Sequence, residues 1–247
     1  MRTIILLFAA LLMPACMSAQ DNSDSFTIRI KGMRCEECAH KVKNRLLQEN
    51  GVEKLSFNIE RRTATISYDH TKISPDSIKG ILKGTRYQAS PYNENDTILR
   101  GMGLQIADMY CQDCADRIMK RFNGMTGIDS IATRMDKHYV FFRYDANRTC
   151  QADIRKILCD MGFTPVSYYT SKDIYYAYFT IPQEVASEEA IEVALALDGV
   201  ADANVNKRNN SLAITYVNTM ITEEKLLEEL HAEGIDAKLP TPHKCNE

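Results

Sequence analysis

Three glycine-led pairs, Gly51-Val52, Gly127-Ile128 and Gly199-Val200, set the frame of this sequence. Seventeen residues after each glycine stands a tyrosine, Tyr68, Tyr144 or Tyr216, closing the alternating segments TATISY, YVFFRY and LAITY. Thirty-five residues after each glycine come Arg86-Tyr87, Gly162-Phe163 and Gly234-Ile235. A period kept over three copies marks a supersecondary unit used repeatedly, not one large core.

Local patterns fill in the unit. In the first copy SFTIRIK alternates Phe26, Ile28 and Ile30, as a half-buried strand does. Ala39, Val42, Leu46 and Leu47 then trace one face of a helix ending near Gly51. Two strands follow, over 52–60 and Thr63–Asp69. Ser74-Pro75 reads as a cap with proline in the first turn of a second helix, and YQASPY is the closing strand. The second copy offers LQIAD, CQDCADRIMKRF, IDSIATRMD, YVFFRYD, CQADIRKILCDMG and FTPVSYY; the third offers IYYAYFT, SEEAIEVALAL, VADANVNKR, LAITYV, TEEKLLEELHAEG and IDAKLP. The order β-α-β-β-α-β predicts an α+β protein of three tandem ferredoxin-like sandwiches on a string. Their spans are 25–93, 97–170 and 171–240, joined by polar connectors near 93–96 and 170–173.

The chemistry sits in the cysteines. Two C-x-x-C pairs, Cys35/Cys38 and Cys111/Cys114, each lie sixteen residues before a glycine landmark when counted from the first cysteine. The first cysteine falls in the loop after strand one and the second in the first turn of helix one, where the helix N-terminus favours thiolate. Two converging thiolates suit Cu(I), Zn(II) or another thiophilic ion. The same spacing also serves a thiol–disulfide protein or a purely structural pair.

Gly32-Met33-x-Cys35-x-x-Cys38, with Gly51-Val52 and the loop containing Tyr87, resembles the heavy-metal-associated (HMA) family of soft-metal carriers and metal-ATPase N-terminal modules. The second copy keeps Met109, Cys111 and Cys114 but has Asp108 for the glycine and Tyr110 before the first cysteine. In the third copy, counting back from Gly199 puts Gln183 and Ala186 at the cysteine positions and Ile181 at the methionine, so the framework persists without ligands. The resemblance implies Cys35, Cys38, Cys111 and Cys114 as metal ligands and Met33 and Met109 as buried supports. It places Tyr87 and Phe163 beside the metal, where they serve equally as core packing. It also implies a metal-transporting membrane protein or another carrier as partner. Some zinc-type relatives place an acidic residue before the first cysteine; Arg34 and Tyr110 stand there, which favours Cu(I) as the bound ion over Zn(II) or an Hg(II)-type ion. The thioredoxin-type Trp-Cys-Gly-Pro-Cys motif is absent, and the chain contains no Trp, so redox chemistry is the second reading and an interaction scaffold with vestigial loops the third. No Ser/His/Asp or paired-carboxylate constellation argues for an enzyme.

Other side chains bear lesser expectations. Cys150 stands where the other copies have the helix caps Ser74 and Thr222. Cys159, near the end of the same helix, is a candidate third thiol for Cys111/Cys114. His231 reads as a surface residue; His40, His70 and His138 lack partner spacing; Cys245 sits in a tail, where fraying is the default.

The leading residues read as an export signal: Arg2, an apolar run from Ile4 to Met13 too short to span a bilayer, then small residues at Ala15, Ser18 and Ala19. Cleavage after Ala19 gives a soluble protein (1–19 removed). Met13-Pro14-Ala15-Cys16 instead resembles a lipoprotein box (1–15 removed), with membrane attachment through Cys16. Either route predicts a periplasmic or cell-envelope location. Charge is uneven: 25–93 holds 13 Lys/Arg against 7 Asp/Glu, 97–170 holds 10 against 8, and 171–240 holds 5 against 13. An acidic, ligand-free module suggests docking, within the chain or to a partner. The slightly acidic whole, without an aromatic-basic stacking pattern, argues against nucleic acid.

Overall fold

In the computed structural model, residues 22–240 are described. The predicted signal, Cys16 and Cys245 lie outside them. Among the described residues no helix is long and apolar enough to cross a membrane.

The first copy runs β1 (Ser23–Lys31), α1 (Glu36–Leu46), β2 (Val52–Asn58), β3 (Thr63–Asp69), α2 (Pro75–Ile81) and β4 (Gln88–Pro91). Its antiparallel sheet has the order β2-β3-β1-β4. The second repeats this as β5 (Leu99–Gln105), α3 (Gln112–Phe122), β6 (Ile128–Arg134), β7 (Tyr139–Asp145), α4 (Gln151–Asp160) and β8 (Val166–Ser167), with order β6-β7-β5-β8. The third has β9 (Ile174–Thr180), α5 (Ser187–Ala196), β10 (Val200–Asn206), β11 (Ser211–Val217) and α6 (Glu223–Ala232), with order β10-β11-β9. These are ferredoxin-like sandwiches, each with its own apolar core between sheet and helices.

The landmark glycines are backbone requirements. Gly51, Gly127 and Gly199 all have φ near +90 to +103, and a Cβ on Gly51 would meet Ile73 Cγ2 at 2.9 Å. Each is followed by the same register shift, between Val52/Lys54, Ile128/Ser130 and Val200/Asp202. Eleven residues after each glycine the hairpin carries a non-glycine residue at positive φ: Arg62 (55°), His138 (49°) and Asn210 (52°). Their carbonyls accept Ile30 N, Ile106 N and Ile181 N at 2.7, 2.8 and 2.9 Å. Asparagine takes this conformation most readily of the three, and no local pattern marks the first two.

Several expectations are revised. Leu47 is 42% exposed and off the apolar face; Cys38, Ala39, Val42 and Leu46 form it. Strand β5 begins at Leu99, earlier than LQIAD, despite Gly101 and Gly103. The Phe141 and Tyr139 rings lie over those glycines, 2.9 and 2.8 Å from where a Cβ would stand, and replace the missing side chains. FTPVSYY keeps only Val166–Ser167 as strand, and IDAKLP only the bridge Thr180↔Lys238, because prolines at 165 and 240 flank them without an N–H to donate.

The string of separate sandwiches also needs revision. The chain forms two compact units, Met1–Pro91 and Tyr92–Glu247. The second unit holds two sheets, and strands β10 and β11 of one contact β8 of the other.

Candidate metal centre

The thiol loop of the first copy is set by the pairing of β1 with β4. Lys31 lies opposite Gln88, so the residues just after Lys31 meet those just before Gln88. Gly32, at φ +93, lets the Arg86 carbonyl approach to 2.5 Å from the position of an absent Cβ; no other residue fits there. Met33 is fully buried beneath the loop.

Cys35 is the N-cap of α1 and Cys38 its third residue. This brings the two sulfurs to 2.9 Å, beyond the ~2.05 Å of a disulfide. Cys35 is exposed and Cys38 is 6% exposed. The Cys38 thiol is lowered to about 6, chiefly because Cys35 donates to its sulfur, with the Arg34 backbone assisting and burial opposing. Arg86 Nη2 also donates to Cys38 Sγ at 3.3 Å, and its guanidinium lies 4.9 Å from the Tyr87 ring centroid. Lys31, Arg34 and Arg86 make a basic rim around a depression of ≈ 370 Å³ at Cys38. Tyr87 is buried in the module core, its hydroxyl near Cys38 but outside hydrogen-bond geometry.

The second pair repeats this placement with different support. Cys111 caps α3 and Cys114 is its third residue, the sulfurs 3.3 Å apart. Both are half-buried, and Tyr110 beside them is 43% exposed. Burial, then the Cys111 sulfur, pushes the Cys114 thiol up. Asp108, in Gly32's place, does not adopt a positive φ. Its carboxylate instead accepts Thr164 N at 3.0 Å and Thr164 Oγ1 at 2.7 Å, so a side chain makes the closure that a bare glycine permits in the first loop. His138 Nδ1 meets Met109 O at 3.1 Å, tying the hairpin to the loop. Met109 is fully buried, and Phe163 packs in the core with Arg117 over its ring.

The third copy shifts the register counted from Gly199. Because Ile181 N bonds Asn210 O as Ile30 N bonds Arg62 O, Ile181 matches Ile30 and not Met33. Ala186 is the N-cap of α5, so it occupies the place of Cys35, and Glu189 that of Cys38. The segment from helix cap to glycine is three residues shorter than in the other copies. Neither position carries a thiol, as expected, although the residues differ from Gln183 and Ala186.

Cys159 does not join the second pair. Its sulfur faces Asn204 Nδ2 at 3.6 Å, burial pushes its thiol up, and no group of three or more metal-ligating residues forms among the described residues. Cys150 stands at the N-cap of α4, but its thiol turns to Asp153 Oδ2 at 3.1 Å where Ser74 and Thr222 accept backbone N–H groups. His231 bonds Ala237 O at 2.6 Å at the close of α6. Arg86, Asp108 and His138 are the supporting residues that spacing did not reveal. Arg86 had a signal in its place in the recurring landmark, and Asp108 in standing where the first copy has Gly32; His138 had none.

Residues 27–88 and 104–164 match the heavy-metal-associated domain. The Copper-transporting ATPase RAN1 of Arabidopsis thaliana is 20% identical over 210 residues, 84% of this chain and 21% of that protein. A Copper-exporting P-type ATPase of Staphylococcus saprophyticus is 30% identical over 137 residues, 56% of this chain and 16% of that protein. The chain thus spans about a fifth or less of these relatives' length. The solution structure of the N-terminal soluble domains of Bacillus subtilis CopA is 19% identical, covering 61% of this chain and 97% of that one, at a TM-score of 0.28. Through these two matched modules the chain belongs to the heavy-metal-associated domain family.

Proposed function

We propose that this chain is an exported carrier of a soft metal ion, held on Cys35/Cys38 and on Cys111/Cys114, in a protein of three modules at 25–93, 97–170 and 171–240. The observation that carries the reading is the Cys35/Cys38 dithiol at a helix N-terminus with the Arg86 guanidinium on one sulfur. Charge favours Cu(I). Two thiolates and a monovalent ion leave one negative charge, which Arg86 balances; with Zn(II) the same set would be net positive. Zn(II) also calls for four ligands, and each described cysteine pair offers two. A metal–sulfur bond is ~2.3 Å, so loading opens the sulfur pair, with exposed Cys35 the freer to move. The basic rim of Lys31, Arg34 and Arg86 suits delivery to an acidic face on a metal-transporting membrane protein. The site of action is the periplasm or cell envelope, with a membrane link if Cys16 is lipidated.

Titration of the reduced protein with Cu(I) and Zn(II), beside Cys35→Ser/Cys38→Ser and Cys111→Ser/Cys114→Ser variants, tests this. Two Cu(I) equivalents, each lost with its own pair, are expected; absence of tight sites would overturn the reading. The 2.9 Å sulfur separation and the lowered Cys38 thiol favour one alternative, thiol–disulfide exchange on the first pair. A reduction potential in the range of exchange catalysts, without tight Cu(I) binding, would support that instead.

A further inference from the structure

The third module's sheet is covered on both sides. Leu212, Ile214 and Tyr216 of β11 face its own helices, yet Ala213 and Thr215, which alternate with them, are equally buried. The second module supplies that cover. Asp202, Asn204 and Asn206 alternate along β10 on this face, and all three bind the stretch that runs from α4 into β8. Asp202 Oδ2 accepts Arg155 Nη2 and Ser167 N, both at 2.7 Å. Asn204 Nδ2 donates to Pro165 O at 2.7 Å, and Asn206 Nδ2 to Phe163 O at 2.8 Å and Cys159 O at 3.2 Å. Thr215 Oγ1 donates to Ser167 O at 3.2 Å. From the β10–β11 turn, Asn209 Nδ2 reaches Gly162 O at 3.1 Å and Asp108 Oδ2 at 3.2 Å.

The matching positions of the other copies, Lys54, Ser56 and Asn58, and Ser130, Ala132 and Arg134, are exposed. The third copy alone carries an Asp/Asn/Asn face; together with Asn209 and Thr215 it reads backbone carbonyls at 159, 162, 163, 165 and 167. That segment borders the second thiol loop, and Asp108, three residues before Cys111, is gripped by Thr164 from one side and Asn209 from the other.

We propose that the ligand-free third module is an intramolecular clamp on the second dithiol loop, making the second site slow to exchange metal while the first exchanges freely. The proposal rests on the reading of Cys111/Cys114 as a metal site. Exchange between dithiolates proceeds when an incoming thiolate bonds the metal before a resident one leaves, and the loop must yield to admit it. A loop whose neighbouring 159–167 segment is held at five carbonyls, and whose own Asp108 is tethered, yields less.

The test uses the full chain with only the second site intact (Cys35→Ser/Cys38→Ser), loaded with Cu(I), with release followed against a chelating competitor. Asp202→Asn/Asn206→Ala loosens the clamp from one side and Arg155→Ala from the other. Hydrogen exchange over 159–168 reports whether the segment is freed. Loss of protection with release about tenfold faster is expected, with release from the first site unchanged in the reciprocal Cys111→Ser/Cys114→Ser background. Lost protection with unchanged release overturns the kinetic role, and unchanged protection overturns the clamp itself. If neither site binds Cu(I), the metal reading has failed, and the exchange data still decide whether the third module holds the segment.

Discussion

Arg86 is the side chain on which the first site's chemistry turns. It donates to Cys38 Sγ at 3.3 Å, and a hydrogen bond to a charged group is stronger than one between neutral groups. Arg86→Ala is therefore expected to weaken Cu(I) binding at the first site by about tenfold or more, leaving the second unchanged, as read by competition titration of each double-serine background. The Cys38 and Cys114 thiols also separate in pH. Cys38 sits at about 6 against an ordinary 9.0, whereas Cys114 is pushed above that value. Site-resolved alkylation by mass spectrometry should show Cys38 rising through pH 6 and flat above about pH 7, while Cys114 still climbs at pH 9. Between those two values the unfolded chain holds the Cys38 proton and the folded chain does not. Stability of the reduced protein hence increases with pH across the window, and the gain disappears as pH falls through 6. The cysteines were legible from spacing alone; Arg86's contact was not, since it depends on which way a long side chain turns in the loop it shares with Tyr87.

At the scale of elements, the repeat makes each copy a control for the others. Ser74 Oγ and Thr222 Oγ1 cap their helices by accepting backbone N–H groups, and Cys150 holds the same place with its thiol on Asp153. Cys150→Ser is expected to stabilise the second unit by about 0.5–1 kcal/mol, measured by urea unfolding. The hairpin positions give a parallel case. Asn210 tolerates its left-handed conformation, whereas Arg62 occupies it at a cost. Arg62→Gly should stabilise the first unit by about 0.5–1 kcal/mol, with Arg62→Ala giving no such gain. Helices α1 to α6 were all readable from apolar spacing and caps. Of the closing strands, YQASPY was readable and holds β4, whereas FTPVSYY and IDAKLP keep only two strand residues and one bridge, because their flanking prolines donate no N–H.

For the whole molecule, the second and third modules share one compact unit, and Asn206, one of the polar residues joining them, is buried at 2% exposure. Asn206→Ala strands the Phe163 and Cys159 carbonyls, and a buried unsatisfied group costs about 1–3 kcal/mol. Calorimetry of the full chain should show the transition of 92–240 lowered and broadened. An unaltered transition would mean that the two modules melt independently. The acidic excess of 171–240 suggests docking through charge, and among the described residues Asp202 with Arg155 is the charge pair between the two modules; Asn204, Asn206, Asn209 and Thr215 add contacts from neutral amides and a hydroxyl.

The sequence by itself determined the repeat, the sandwich order and the position of both thiol pairs, because glycine geometry, apolar period and helix caps act over a few residues at a time. Tertiary structure alone decided that Asp108 replaces a glycine by bonding Thr164, that Ala186 and Glu189 stand where the first module has its thiols, and that an Asp/Asn/Asn strand face grips the segment beside the second loop. Those outcomes depend on which surfaces meet after the chain has folded, and no local pattern records them.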